Sequence, residues 1–161
     1  MQIMRGFLLV TALVTTTFAS AQIKTYSLTD GSVYTKLKYN LISGWKDETG
    51  LGGPVAKDGN FSLGYNVGFV RAYPRLSKND SWTIGLTLSF RLEAKSILYS
   101  KVASDWRGHW QQETGAKYTI YATKTFNIVA NLGYVLNYPL HLTSKPQWTS
   151  GLQINFPLKS L

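Results

Sequence analysis

The feature that most constrains this chain is a period-two alternation of bulky apolar and small or polar residues, sustained over long stretches. From Trp82 to Leu92 the even positions are Trp82, Ile84, Leu86, Leu88, Phe90 and Leu92, while the odd positions are Thr83, Gly85, Thr87, Ser89 and Arg91, with Glu93 next. Successive side chains of a strand point to opposite faces, so one face here is apolar throughout and the other is small or charged. Phe61–Tyr73, Val33–Trp45, Phe126–Leu136 and Trp148–Phe156 repeat the pattern, and Trp110–Ala122 repeats it more weakly. These six segments predict strands.

Alternation alone fits two architectures. A soluble sandwich or lipocalin-like barrel turns the apolar face into a protein core. A transmembrane barrel turns it outward to lipid and lines its lumen with the polar face. Three features favour the membrane version. The runs are about 11–15 residues long, at or above the length that spans a bilayer as a tilted strand and well above the usual soluble strand. Aromatic residues stand near the ends of the apolar faces: Trp45, Phe61, Tyr73, Trp82, Trp110, Phe126, Trp148 and Phe156. That is the arrangement of two interfacial girdles. The opposite face is rich in Gly, Ser, Thr and Asn, which suit a narrow lumen.

The expected fold is therefore an all-β, antiparallel up-and-down transmembrane barrel. Eight strands are expected, because bacterial single-chain barrels have an even number starting at eight. Gln22–Thr29 and Ser96–Ser104 are the candidates for the missing two. Six strands alone would leave bare edges, which lipid does not tolerate without a partner or self-association. The glycine-rich stretch Lys46–Asn60, Lys95–His109 and Pro139–Lys145 read as longer outer loops. Tyr73–Asp80 and Thr123–Thr125 read as short periplasmic turns.

The first 21 residues read as a cleavable secretory signal. Arg5 supplies the charged start, Phe7–Val14 the apolar run, and Ala19-Ser20-Ala21 the small-residue cleavage site; the run is too short to span a bilayer as a helix. Residues 22–161 are then the barrel domain of an outer-membrane protein. The chain has no cysteine, so an exported fold of this size needs another staple, and closure of a barrel supplies one. The formal net charge is +9, or +8 without Arg5. The basic residues are scattered, which points to anionic lipid and lipopolysaccharide rather than nucleic acid.

The closing octet, Thr149-Ser150-Gly151-Leu152-Gln153-Ile154-Asn155-Phe156, resembles the last-strand signal of the small bacterial outer-membrane β-barrels of the OmpA/OmpX type. The resemblance implies that Thr149, Gly151, Ile154 and Phe156 are read by the barrel-assembly machinery. Gly115-Ala116-Lys117-Tyr118 and Thr123-Lys124-Thr125-Phe126 are similar to the strand-turn-strand phrasing of those families. The chain departs from them by running five residues past Phe156.

On the polar faces stand Lys36, Lys38, Arg91, Glu93, Glu113 and Lys117. Charges enclosed in a narrow barrel have to pair, so Arg91, Glu93, Glu113 and Lys117 are expected to form a lumen ion-pair network. Such a network plugs an eight-stranded lumen rather than opening a conduction path. Two places could carry catalysis. Ser104, Asp105 and His109 lie close in sequence. His141-Leu142-Thr143 is similar to the His-x-Ser arrangement of lipid A deacylases, with Thr143 in place of the serine and no match around it. Loop histidines in solvent account for both, and no metal or cofactor motif is present. The reading is a non-enzymatic barrel: a structural element, or an accessory subunit of an envelope complex. Residues Trp45, Lys46, Asp47, Trp106, Arg107 and Trp110 would contact lipopolysaccharide or a protein partner. The rival readings are a lipid-modifying outer-membrane enzyme and a soluble periplasmic binding barrel.

Overall fold

The structure, a computed structural model, describes residues 24–27, 30–41, 44–73, 80–138 and 147–160. The expected signal sequence, His141 and the whole of Pro139–Lys145 lie outside them. Among the described residues nine strands follow one another: β1 (Lys24–Thr25), β2 (Ser32–Asn40), β3 (Gly44–Asp58), β4 (Phe61–Tyr73), β5 (Ser81–Arg91), β6 (Ser96–Asp105), β7 (Trp110–Ala122), β8 (Asn127–Tyr138) and β9 (Gln147–Pro157). From β2 to β9 each strand pairs antiparallel with the next, and β9 pairs with β2 to close the ring. The result is a closed eight-stranded up-and-down barrel, which leaves no strand edge open along the ring. The two-residue β1 extends the sheet where β3 runs past β2, with Lys24 opposite Lys57.

Eight strands were expected, but the eighth is not where it was sought. Lys46–Asn60 is not a loop: nearly all of it is β3, in register with β2 and β4. The segment Val33–Trp45 is two strands rather than one, broken after Asn40, with β3 starting at Gly44 (φ 76°). Ser96–Asp105 is a strand, whereas of Gln22–Thr29 only Lys24–Thr25 forms a strand among the described residues, followed by a bond from the Tyr26 amide to the Val55 carbonyl oxygen at 3.2 Å. At one end of the barrel lie Lys24, Pro157 and the turns at 59–60, 92–95 and 123–126; at the other lie Asn40, Gly44, Tyr73, Ser81, the turn at 106–109, Tyr138 and Gln147. These are called the terminal end and the loop end. The expected order of long and short connections is thus wrong at Tyr73–Asp80, because β4 ends and β5 begins at the loop end.

β3 escapes the apolar pattern for a physical reason. Its lumen positions include Lys46, Glu48, Gly50 and Gly52, and its outer positions include Asp47 and Thr49. Neither face is an apolar stripe. Gly50 is required by a close approach of backbones: a Cβ there would stand 2.2 Å from the Val67 carbonyl oxygen. Pro54 sits where the register with β4 slips, between Pro54 and Ala56, a bulge position where a strand tolerates proline.

The two halves of the barrel repeat each other. Tyr34, Lys36, Trp45, Glu48, Thr49, Gly50, Asn66, Gly68 and Val70 recur 65 positions later as Tyr99, Lys101, Trp110, Glu113, Thr114, Gly115, Asn131, Gly133 and Val135. In the fourth strand of each half, Trp82, Thr83, Gly85, Leu86 and Phe90 recur 66 positions later as Trp148, Thr149, Gly151, Leu152 and Phe156. Even the irregularity recurs, since β7 slips against β8 between Thr119 and Tyr121. Strands β2–β5 and β6–β9 are therefore two copies of one four-stranded unit, related across the lumen.

Candidate lumen site and outer surface

The apolar faces point outward. Ile84, Leu86, Leu132 and Leu152 are exposed, with Leu86 at 56 %, and so are Leu37, Leu51, Val67 and Leu98. At the loop end this band is bordered by Trp45, Tyr73, Trp82, Trp110 and Trp148, and at the terminal end by Phe61, Phe90, Phe126 and Phe156. All four terminal-end residues are phenylalanine and four of the five at the loop end are tryptophan. The rings pack in equivalent pairs in the two halves: Phe69–Trp82 at 5.4 Å matches Tyr134–Trp148 at 5.2 Å, and Phe61–Phe90 at 4.7 Å matches Phe126–Phe156 at 6.4 Å. From Trp82 to Phe90 the chain climbs eight residues, about 20 Å along the axis for a strand rising ~3.3 Å per residue at a barrel tilt of ~40°. That is close to the height of the apolar band of outer-membrane barrels, about 25 Å.

The lumen carries the charge. Tyr34 donates its hydroxyl proton to Glu48 at 2.5 Å, and Tyr99 does the same to Glu113 at 2.5 Å. Each carboxylate is then met by the lysine of the opposite half. Lys101 reaches Glu48 at 3.4 Å and Lys36 reaches Glu113 at 3.8 Å. Lys38 adds a direct bond to Glu113, which is 1 % exposed. The paired glycines make the room: a Cβ on Gly68 would meet the Tyr34 hydroxyl at 2.8 Å, and one on Gly133 would meet the Tyr99 hydroxyl at 2.8 Å. Desolvated carboxylates held by both an ion pair and a tyrosine are well satisfied.

The expected network is partly misplaced. Glu113 is central to it. Arg91 and Glu93 are not: both are exposed at the terminal end, Glu93 within the turn after β5, where water makes pairing unnecessary. Lys117 points into the lumen, with its ammonium 4.7 Å from the centre of the Tyr99 ring rather than in an ion pair with Glu113. Glu48, Tyr34, Tyr99 and Lys101 were not anticipated. The repeat would have found them, since Glu-Thr-Gly at 48–50 reappears at 113–115 inside a segment already read as a strand.

Below the Glu48 pair, toward the terminal end, lies a cavity of about 280 Å³, bordered by Lys36, Lys101, Lys117, Asn66 and the hydroxyls of Thr87 and Ser89.

The histidine cluster is a turn, not a triad. The Asp105 carboxylate accepts bonds from the His109 ring and from the amides of Arg107 and His109, each 2.9 Å. Burial raises the Asp105 pKa, but the bonds from the His109 ring, the His109 amide and the Arg107 amide outweigh it and hold the group below its usual range. The Ser104 hydroxyl donates to the Asp105 carbonyl oxygen at 3.1 Å rather than to the imidazole. Among the described residues no cluster of His, Cys, Asp and Glu could hold a metal ion.

Three of the five residues past Phe156 tie the end of β9 to the stretch before β2. Pro157 is in register with Ser32, the Leu158 amide bonds the Gly31 carbonyl oxygen at 2.9 Å, and Lys159 binds Asp30. The bond from Lys159, with the Ser27 amide, holds the Asp30 carboxyl below its ordinary value. The segment that departs from the family pattern is thus a clip. Of the octet before it, Ile154 and Phe156 face outward and Thr149 and Gly151 inward. Of the residues expected on outer loops, Trp45, Lys46 and Asp47 belong to β3. Lys46 faces the lumen, and Asp47 pairs with Arg71 at 3.4 Å on the outside. Trp106 is 88 % exposed in the β6–β7 turn.

No family model matches the chain, and no curated protein does. Solved structures do. A de novo designed transmembrane β-barrel matches with a TM-score of 0.55 and 14 % identity, over 82 % of this chain and 99 % of the design. The N-terminal β-barrel domain of Pseudomonas aeruginosa OprF matches with a TM-score of 0.50 and 16 % identity, over 78 % of this chain and 95 % of that domain. At such identities the likeness speaks for the fold alone: the chain has the fold of an eight-stranded transmembrane β-barrel, similar to that of the OmpA-like outer-membrane barrels.

Proposed function

We propose that this protein is a non-enzymatic outer-membrane barrel, a structural element or accessory subunit of the cell envelope. Its loop end would face outward, toward lipopolysaccharide or a protein partner. The observation that carries the reading is the outer surface: a continuous apolar band, with Trp45, Trp82, Trp110 and Trp148 along one border and phenylalanines along the other. A soluble barrel would need those side chains inside. Lys24 and Pro157 lie at one end, and the two longest connections between strands, β4 to β5 and β8 to β9, are made at the other, which suits a periplasmic side for the first end. Trp106, Arg107 and the outer Asp47–Arg71 pair stand near the opposite end, where an amphipathic partner would be met. The turn role of Asp105 and the direction of the Ser104 hydroxyl support the absence of catalysis.

Membrane fractionation with gel migration before and after boiling tests the barrel. A membrane-bound band that migrates as a compact species and shifts on boiling is expected, and release of folded protein in a detergent-free extract would contradict it. The enzymatic rival is tested by mass spectrometry of lipid A from a deletion strain and from cells carrying His109→Ala or His141→Ala. Unchanged lipid A in all three is expected; a changed species in any of them would overturn the non-enzymatic reading.

A further inference from the structure

The charge of the lumen does not balance. Lys36, Lys38, Lys46, Lys101 and Lys117 face inward, against only Glu48 and Glu113. The chain has eight acidic residues in all, and the other six are placed elsewhere. Asp30 is held by Lys159, Asp47 by Arg71 on the outside and Asp105 by the β6–β7 turn. Asp80 lies at the loop end and bonds the Ala72 amide. Asp58 precedes the turn at 59–60 and Glu93 lies within the turn at 92–95. No carboxylate side chain remains to neutralise the excess lysines, and cations enclosed without a counter-charge are costly.

The surplus converges on one place. Lys36, Lys101 and Lys117 all border the 280 Å³ cavity, against Glu48 as its one carboxylate. Asn66 borders it too. It is 7 % exposed, and neither its amide nitrogen nor its amide oxygen makes a hydrogen bond within the protein. A buried amide group left so is expensive unless something polar meets it. Ser62, Thr87, Ser89, Gln153 and Asn155 add hydroxyl and amide groups to the wall, alongside Pro54 and the rings of Tyr34, Tyr65 and Tyr99.

We propose that the terminal half of the lumen binds a small soluble oxyanion of phosphate or carboxylate chemistry. Lys117, Lys101 and Lys36 supply the positive charge and the Asn66 amide supplies a neutral donor. The volume admits such an ion with several waters, since one water occupies about 30 Å³ in the liquid. Lys117 is the principal ligand, because Glu48 already engages Lys101, and Glu113 draws on Lys36. This site is separate from any contact made at the loop end and does not depend on the identity of an envelope partner.

The test uses the full chain, refolded in an alkyl maltoside so that no detergent phosphate competes. Inorganic phosphate and succinate are titrated separately, with chloride at matched ionic strength, and the side-chain amide signals of Asn66 are followed by NMR. Saturable shifts with phosphate or succinate, and none with chloride, are expected. Lys117→Met should weaken binding about tenfold, the scale of one charged hydrogen bond. Asn66→Leu, followed by calorimetry, should weaken it a few-fold, and Lys95→Met, on an exposed turn, should leave it unchanged. Gel migration before and after boiling establishes that each variant is folded; if Lys117→Met does not fold, Lys117→Gln takes its place. Three results would overturn the proposal. The folded wild type shows no saturable binding of either oxyanion; a folded Lys117 variant binds as tightly as wild type; or shifts appear only when phosphatidylglycerol is added to the micelles, which assigns the site to a lipid headgroup instead.

Discussion

Lys101 of β6 reaches across the lumen to Glu48 of β3, Nζ to Oε1 3.4 Å. The same lysine–glutamate contact, with the halves exchanged, joins Lys36 to Glu113 at 3.8 Å. Each half of the barrel therefore supplies a tyrosine to its own glutamate and a lysine to the other's. The cross-links tie together two sheets that share only the seams between β5 and β6 and between β9 and β2.

The two cross-links are not equal, and mutation should show it. Glu113 carries a second lysine, Lys38, and its side chain is 2 % exposed, against 12 % for Glu48. Glu113→Ala strands Lys38 and Lys36 and should cost about 3–5 kcal/mol, the usual cost of breaking a buried pair. Glu48→Ala should cost less, about 1–3 kcal/mol, on the scale of one charged hydrogen bond. Urea unfolding in bilayers measures both. Equal losses would show that the second lysine adds nothing.

Gly115→Ala should be more damaging than its size suggests. A Cβ there would lie 2.1 Å from the Leu132 carbonyl oxygen and 2.6 Å from the Cα of Gly133. Backbone on the partner strand cannot swing aside as a side-chain tip can. A loss of about 1–3 kcal/mol or more is expected, as for other overpacked sites, and Gly50→Ala should match it, because its Cβ would lie 2.2 Å from the Val67 carbonyl oxygen. Folded yield and urea midpoint check the pair; two neutral variants would mean that strands β3–β4 and β7–β8 are not held this closely.

These residues mark where the sequence was legible and where it was not. β5, β8 and β9 announce themselves because one face meets an apolar medium and every second residue must be greasy. β3 does not, because packing in the lumen selected Lys46, Glu48, Gly50 and Gly52 on one face while Asp47 and Thr49 took the other. Glycine and proline, ordinarily turn signals, serve there as a close strand approach and a bulge. Glu113 was legible as an enclosed charge. Its partners were not, because Lys36 and Lys38 come from a strand distant in sequence and alternation says nothing about which strands face each other across a closed ring. The 65-residue repeat does carry that information, since it identifies Glu48 and Lys101 as the equivalents of Glu113 and Lys36.

The β6–β7 turn should open in acid. The Asp105 pKa is held below that of a free carboxyl, so its ionised form favours the folded turn. That contribution is complete above the unfolded carboxyl pKa of about 4 and is lost as pH falls through the lower folded value. Hydrogen exchange at the Arg107 and His109 amides should therefore show protection, relative to intrinsic rates, that is steady from neutral pH to about pH 4 and falls only below it. Asp105→Asn should weaken protection at every pH above that point. Loss of protection already at pH 5–6 would assign the turn to another group.

The lysine clip at the terminal end should matter for the ends and not for the barrel. Lys159→Ala removes the partner of Asp30 while the β2–β9 ladder stays intact. Faster proteolysis near residues 26–31 is expected, with an unchanged gel shift on boiling. Collapse of the folded band would show that the clip is part of barrel closure.

The central claim is that the apolar face of β5 meets acyl chains while its polar face meets the lumen. Because the chain lacks cysteine, single-cysteine variants can be spin-labelled without background. Nitroxides at Ile84→Cys, Leu86→Cys and Leu88→Cys, in a bilayer, should collide readily with oxygen and poorly with a water-soluble nickel complex. Nitroxides at Thr83→Cys, Thr87→Cys and Ser89→Cys should be less accessible to oxygen, giving a period-two oscillation. Oxygen accessibility that peaks at the odd positions, or that shows no oscillation, would contradict the account.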